Sequence, residues 1–119
     1  MGWSPLLVSA VESDGRRSYR LGHELVDEFL EFASGRCRPN TVLAAGFDLK
    51  VFFTIIAKDP IEVTSTDVLE FIRAQRNAGD PNVIRLADGE SGLSSRTIQR
   101  RLSSLSSFYS FLVVRGDVA

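Results

Sequence analysis

Cysteine, histidine, tryptophan and methionine occur only once each among the 119 residues. A lone Cys37 excludes an internal disulfide and any zinc site built on several thiolates. His23 has no second histidine beside which to bind a metal, and a Ser-His-Asp centre would rest on it alone. Both are read as structural residues, a histidine at a helix start and a loop thiol, and no cofactor or metal is expected. Long apolar runs are missing too. Val51-Phe52-Phe53 continues to Ala57 only through Thr54, and every run falls far short of the roughly 18 residues of a membrane span. The N-terminus lacks the basic start of a signal peptide, and Leu6 stands where a myristoylation signal needs Ser or Thr. A soluble, cytoplasmic protein with no membrane partner is the expectation.

An excess of basic charge is the next absence. The net charge is −1, which alone argues against nucleic-acid binding, because phosphate affinity rests on clustered Lys and Arg. The distribution says more than the sum. Glu24, Asp27, Glu28 and Glu31 fall together with no base among them, whereas the only charges between Ser91 and Gly116 are Arg96, Arg100, Arg101 and Arg115. An acidic early segment and a basic late one let one face meet a polyanion while another faces water.

What is present is helical period. Residues 1–21 have no sustained period and are expected to form a flexible, extended N-terminal arm, with a domain over residues 22–119. Leu25, Phe29 and Phe32, with Val26 and Leu30 beside them, predict an amphipathic helix over residues 22–34 that Gly35 closes. Pro39-Asn40-Thr41 opens a second helix running to about residue 57, with Asn40 or Thr41 able to cap it. Gly46 inside that helix points to a close contact. Thr64 and Asp67 have the spacing of a capping box, and Val68, Leu69, Phe71 and Ile72 supply the core face of a third helix. Residues 79–93 read as a long loop with a weak hairpin signal at Asp88-Gly89. Ser94 or Ser95 starts a fourth helix and Gly116 ends it. Its stripe is Ile98, Leu102, Leu105, Tyr109 and Leu112, with Arg96 and Arg100 opposite and Thr97, Arg101 and Phe108 on the flanks. Phe47, Phe52, Phe53, Phe71 and Phe108 are assigned to the core. The fold class is all-α, with four helices.

The order of these elements carries a resemblance. Thr41, Asp48-Leu49 and Phe52, then Val63-Thr64, Asp67-Val68 and Phe71, lead to the block Gly92-Leu93-Ser94-Ser95-Arg96-Thr97-Ile98-Gln99-Arg100-Arg101-Leu102 and on to Leu105, Phe108-Tyr109 and Phe111-Leu112. Over residues 22–116 this resembles the N-terminal core-binding (SAM-like) domain of tyrosine recombinases, the phage-integrase family. Ala45 stands where that family often has an aromatic residue. The resemblance implies a compact four-helix SAM-like bundle that clamps duplex DNA at a recombination core site for integration and recombination. It further implies that a separate C-terminal domain supplies the catalytic arginines, histidines and nucleophilic tyrosine, the chain stopping at Ala119 where a linker to it would begin. The partners implied are double-stranded DNA, that catalytic domain and other recombinase protomers on DNA. No catalytic residue is expected here, neither Tyr19 nor Tyr109 being placed as a nucleophile.

Given the resemblance, the DNA contacts are expected from Asn40, Thr41, Lys50, Arg96, Thr97, Arg100, Arg101 and Ser103. Guanidinium groups and hydroxyls bond phosphate oxygens, and small side chains such as Ser107 and Ser110 let the backbone come close. A helix N-terminus at Asn40-Thr41 suits phosphate as well. Against this stand blander roles: a solvated helix face for the arginines, capping for Asn40 and Thr41, simple exposure for Lys50. The competing functional class is a helical protein–protein interaction module without DNA binding, using the acidic first helix or the long loop.

Overall fold

A computed structural model describes residues 3–76 and 95–118. The expected loop over residues 79–93, its hairpin and the capping role of Ser94 lie outside the described residues. The chain forms two strands, β1 (Val8–Val11) and β2 (Arg17–Arg20), followed by four helices, α1 (Glu24–Ser34), α2 (Pro39–Ile55), α3 (Ser65–Arg76) and α4 (Ser95–Arg115). A short 3-10 turn, Pro60–Glu62, precedes α3.

The two strands correct the all-α expectation. β1 and β2 pair antiparallel with Val8 opposite Arg20 and Val11 opposite Arg17. Gly15 turns the hairpin at φ +85°, a left-handed conformation that costs glycine little. The Glu12 N–H donates to Arg16 O at 2.7 Å across the loop. Every β1 residue is exposed, so no alternation of apolar and polar residues announces the strand. β2 is anchored by the buried Tyr19, with Leu21 buried just beyond it. Trp3 Nε1 donates to Leu21 O at 2.8 Å, and its ring lies 5.0 Å from His23 and 5.1 Å from Phe53. The residues expected as an extended arm thus build a hairpin seated on α1 and α2.

Local chemistry sets the helix ends. His23 caps α1, its Nδ1 accepting from the Leu25 N–H at 3.1 Å. Asp27 Oδ1 in the first turn accepts from the backbone N–H groups of Leu21 and Gly22, joining hairpin to helix. Gly35 closes α1 in a right-handed conformation, φ −82°. α2 begins two residues earlier than a cap at Asn40 would place it. Arg38 is the N-cap without a side-chain bond, Pro39 takes the first helical position, and Asn40 and Thr41 sit inside the first turn. α3 carries the expected capping box: Thr64 N–H donates to Asp67 Oδ2 at 2.9 Å, and Asp67 N–H donates to Thr64 Oγ1 at 3.3 Å. The Thr64 N–H, with Lys58 Nζ at 2.9 Å, holds the Asp67 carboxyl below its ordinary range.

Five phenylalanines bind the helices together. Phe29 of α1 meets Phe108 of α4 at 5.5 Å between ring centroids, and Phe108 meets Phe53 of α2 at 6.2 Å. Phe52 meets Phe53 at 4.8 Å and Phe71 of α3 at 4.9 Å, both edge to face, the geometry ring quadrupoles favour. A Cβ added at Gly46 would come within 3.3 Å of Leu7 and 3.8 Å of Leu30, so the close contact there involves both the N-terminal segment and α1.

The face that α4 buries differs from the expected one. Ile98, Arg101, Leu105, Phe108 and Leu112 are its buried residues, while Leu102 and Tyr109 are half-buried. Hydrophobicity favours Leu102 over Arg101; the fold reverses them because Arg101 finds polar partners inside. Phe47 is likewise displaced from the expected core. It is 43% exposed, with the Arg101 guanidinium 5.7 Å from its ring centroid. Leu69 of α3 is also exposed.

Candidate nucleic-acid interface

Helix geometry decides which of the expected contact residues meet. On α4, Arg96, Arg100, Ser103, Ser107 and Ser110 fall on one side, at four- and three-residue steps with about 100° of rotation per residue. That side faces the first turns of α2. The two helices enclose a groove of about 450 Å³, in which Asn40 and Thr41 from α2 stand opposite Arg100, Ser103, Ser104 and Ser107 from α4, over a floor of Phe29, Ala33 and Val42. A second groove of about 810 Å³ continues along α4 past Ser107 and Ser110 to Arg115, with Arg36 and Phe32 on its α1 side. Asp48 is the only acid among the described residues lining either groove.

Four of the eight candidates, Asn40, Thr41, Arg100 and Ser103, therefore line one groove, and all four are exposed at its rim beside the exposed Arg96 one turn away. Lys50 lies nine residues beyond Thr41, half a turn out of phase at about 100° per residue, and is not among the groove residues. Thr97 is half-buried on α4. Arg101 is 8% exposed, and its Nη1 donates to Gln75 Oε1 of α3 at 2.9 Å. Burial pulls its pKa down, the nearby Asp48 carboxylate opposing that shift.

Two groove residues escaped the sequence reading as site residues. Asp48 is buried, and its Oδ1 accepts from Arg100 Nη2 at 2.8 Å while its Oδ2 accepts from Ser104 Oγ at 2.7 Å. An acid flanked by Phe47 and Leu49 in the most apolar helix was the available signal, since a buried carboxylate needs a partner. Ser104 had no such signal, being one hydroxyl among many. The exposed Arg36 adds a base to the second groove, and the exposed Arg38 stands at the N-cap of α2.

Both tyrosines are tied into the fold, Tyr19 buried on β2 and Tyr109 half-buried on α4. Tyr109 donates its hydroxyl to Pro60 O at 2.6 Å, and burial, with the charges of Asp59 and Asp67, pushes its phenol far above the ordinary range. Among the described residues its hydroxyl bonds that backbone carbonyl and no side-chain base. The expected result with a nicked suicide duplex is no covalent protein–DNA adduct on a denaturing gel; an adduct abolished by Tyr109→Phe would reverse this placement. No group of three or more metal-binding side chains occurs among the described residues, and no helix there is long and apolar enough to cross a membrane.

The domain is mostly helical, with a small hairpin, an aromatic centre and an arginine–serine face on its last helix. The family model for the phage integrase N-terminal SAM-like domain matches residues 26–116, and the chain belongs to that family. This module is the N-terminal, non-catalytic part of integrases. No curated protein and no solved structure gives a significant match.

Proposed function

We propose that this chain is the DNA-binding domain of a site-specific tyrosine recombinase, clamping duplex DNA at a recombination core site in the cytoplasm, alongside a C-terminal catalytic domain and other protomers. The observation that carries the reading is the groove itself. Two segments some sixty residues apart in sequence converge to set Asn40 and Thr41 against Arg100 and Ser103, with Arg96 exposed next to them. Hydroxyls, an amide, guanidinium groups and a helix N-terminus are all phosphate-bonding groups, and serines leave room for a sugar-phosphate chain to approach. Asn40, Thr41, Arg96, Arg100 and Ser103 are the proposed contacts. Arg101 is proposed to hold the helices that carry them, and Lys50 and Thr97 to contribute less.

The test is an anisotropy titration with duplex DNA at several salt concentrations. Arg96→Ala should weaken binding and flatten the slope of log affinity against log salt by about 0.9, one phosphate's worth. Arg73→Ala, an exposed arginine on α3 paired with Glu70, should leave both unchanged. Equal binding by both variants and the unmodified chain would remove DNA from α4. The protein-interaction alternative is favoured by one feature, an apolar groove between α3 and α4 lined by Val63, Val68, Leu102, Leu105 and Tyr109. It would be preferred if duplex binding were absent or insensitive to salt.

A further inference from the structure

The groove between α2 and α4 holds a buried carboxylate. Asp48 is 2% exposed on α2, where a lone charge is expensive, yet its shortest bonds go to the groove and not to the core. Arg100 and Ser104, at 2.8 and 2.7 Å, both line the groove, whereas the buried Arg101 Nε is 3.8 Å away and has no hydrogen-bond partner. The Arg100 side chain remains 52% exposed, so one edge of its guanidinium rests on Asp48 while the rest faces outward. Two guanidinium groups and one carboxylate leave this trio a single net positive charge. A phosphate approaching the outer edge of Arg100 meets the Asp48 charge directly behind it, in a site shielded from water on that side.

We propose that Asp48 is a specificity-determining brake on this groove: it tethers Arg100 and cancels its charge, so that indiscriminate attraction for DNA phosphates falls mainly to Arg96. This rests on the DNA-binding reading above. Sequence-independent affinity is thereby held down, and a larger share of discrimination passes to the remaining contacts, because the phosphate term is common to all sequences.

The experiment uses the full chain, a random-sequence duplex and titrations at several salt concentrations. Asp48→Asn keeps the shape and removes the charge. It should bind about tenfold more tightly at low salt, with a salt slope steeper by up to about 0.9. The gain should vanish in Asp48→Asn/Arg100→Ala. Glu62→Gln, which removes one acid outside the groove, should give little of it. A folded Asp48→Asn variant with no gain, or a gain that survives loss of Arg100, overturns the brake. Should Asp48→Asn fail to fold, Arg96→Ala and Arg100→Ala are compared in the otherwise unchanged chain. The brake requires Arg100→Ala to flatten the slope by less than half as much as Arg96→Ala; equal flattening refutes it. Absence of salt-dependent binding by the unmodified chain removes the DNA-binding reading and the brake with it, whereas salt-dependent binding without these differences removes the brake alone.

Discussion

Phe108→Ala is expected to lower the stability of the domain by about 3–5 kcal/mol, the range for removing a fully buried phenylalanine from a packed core. Phe108 is completely buried and is the ring through which α1 and α2 meet α4, by way of Phe29 and Phe53. Its removal costs transfer free energy and opens a cavity where three helices converge, and close-packed helices collapse only partly into such a space. Urea denaturation followed by circular dichroism measures the change. Leu105→Ala, another buried α4 position, should fall in the overlapping range of about 2–5 kcal/mol. The half-buried Leu102, at the rim of the α3–α4 groove, should cost clearly less than either. A loss at Leu102 equal to that at Phe108 would show that the apolar face of α4 is the one its hydrophobicity suggests and not the one the fold selects.

Arg101→Ala should be the most damaging change to a charged residue, costing about 3 kcal/mol, from the lost charged hydrogen bond and the buried partner left behind. Arg101 reaches from α4 to Gln75 of α3, itself buried and bonded through Nε2 to Phe71 O at 3.3 Å, and lies beside Asp48 and Phe47 of α2. Its deletion leaves Gln75 Oε1 buried without a donor. Arg101→Met should recover part of the loss, because the stem still packs while the hydrogen bond is gone. Any fall in DNA affinity on Arg101→Ala should track the unfolded fraction, returning to near the unmodified value at temperatures where the variant is fully folded. A stable Arg101→Ala variant that loses DNA affinity with its salt slope flattened would instead make Arg101 a phosphate contact.

This contrast marks how far one sequence goes. The helices were legible because their signals are local. Pro39 at a helix start, the Thr64–Asp67 capping box, Gly116 at φ +88° and the three-four spacing of apolar residues each act within a turn or two of chain. Membership of the integrase SAM-like family was legible for a related reason, since the block from Gly92 to Leu105 combines such signals in one order. The hairpin was not, because strands this short are held by Tyr19, Leu21 and Trp3 docking on α1 and α2, and an exposed β1 carries no alternation of its own.

Within α4 the same divide runs between neighbouring residues. Composition and period determined that one side of the helix is apolar and that Arg96 and Arg100 stand away from it. Only the tertiary structure decided that Arg101 goes inside and Leu102 to a rim, because the cost of burying a guanidinium depends on partners at Asp48 and Gln75, far off in sequence. It also decided that Arg100 shares its charge with Asp48, and that Asn40 and Thr41 face Ser103 across a groove while Lys50 turns away. Local preferences are written residue by residue; the pairing of buried polar groups and the meeting of distant faces exist only once the helices have packed.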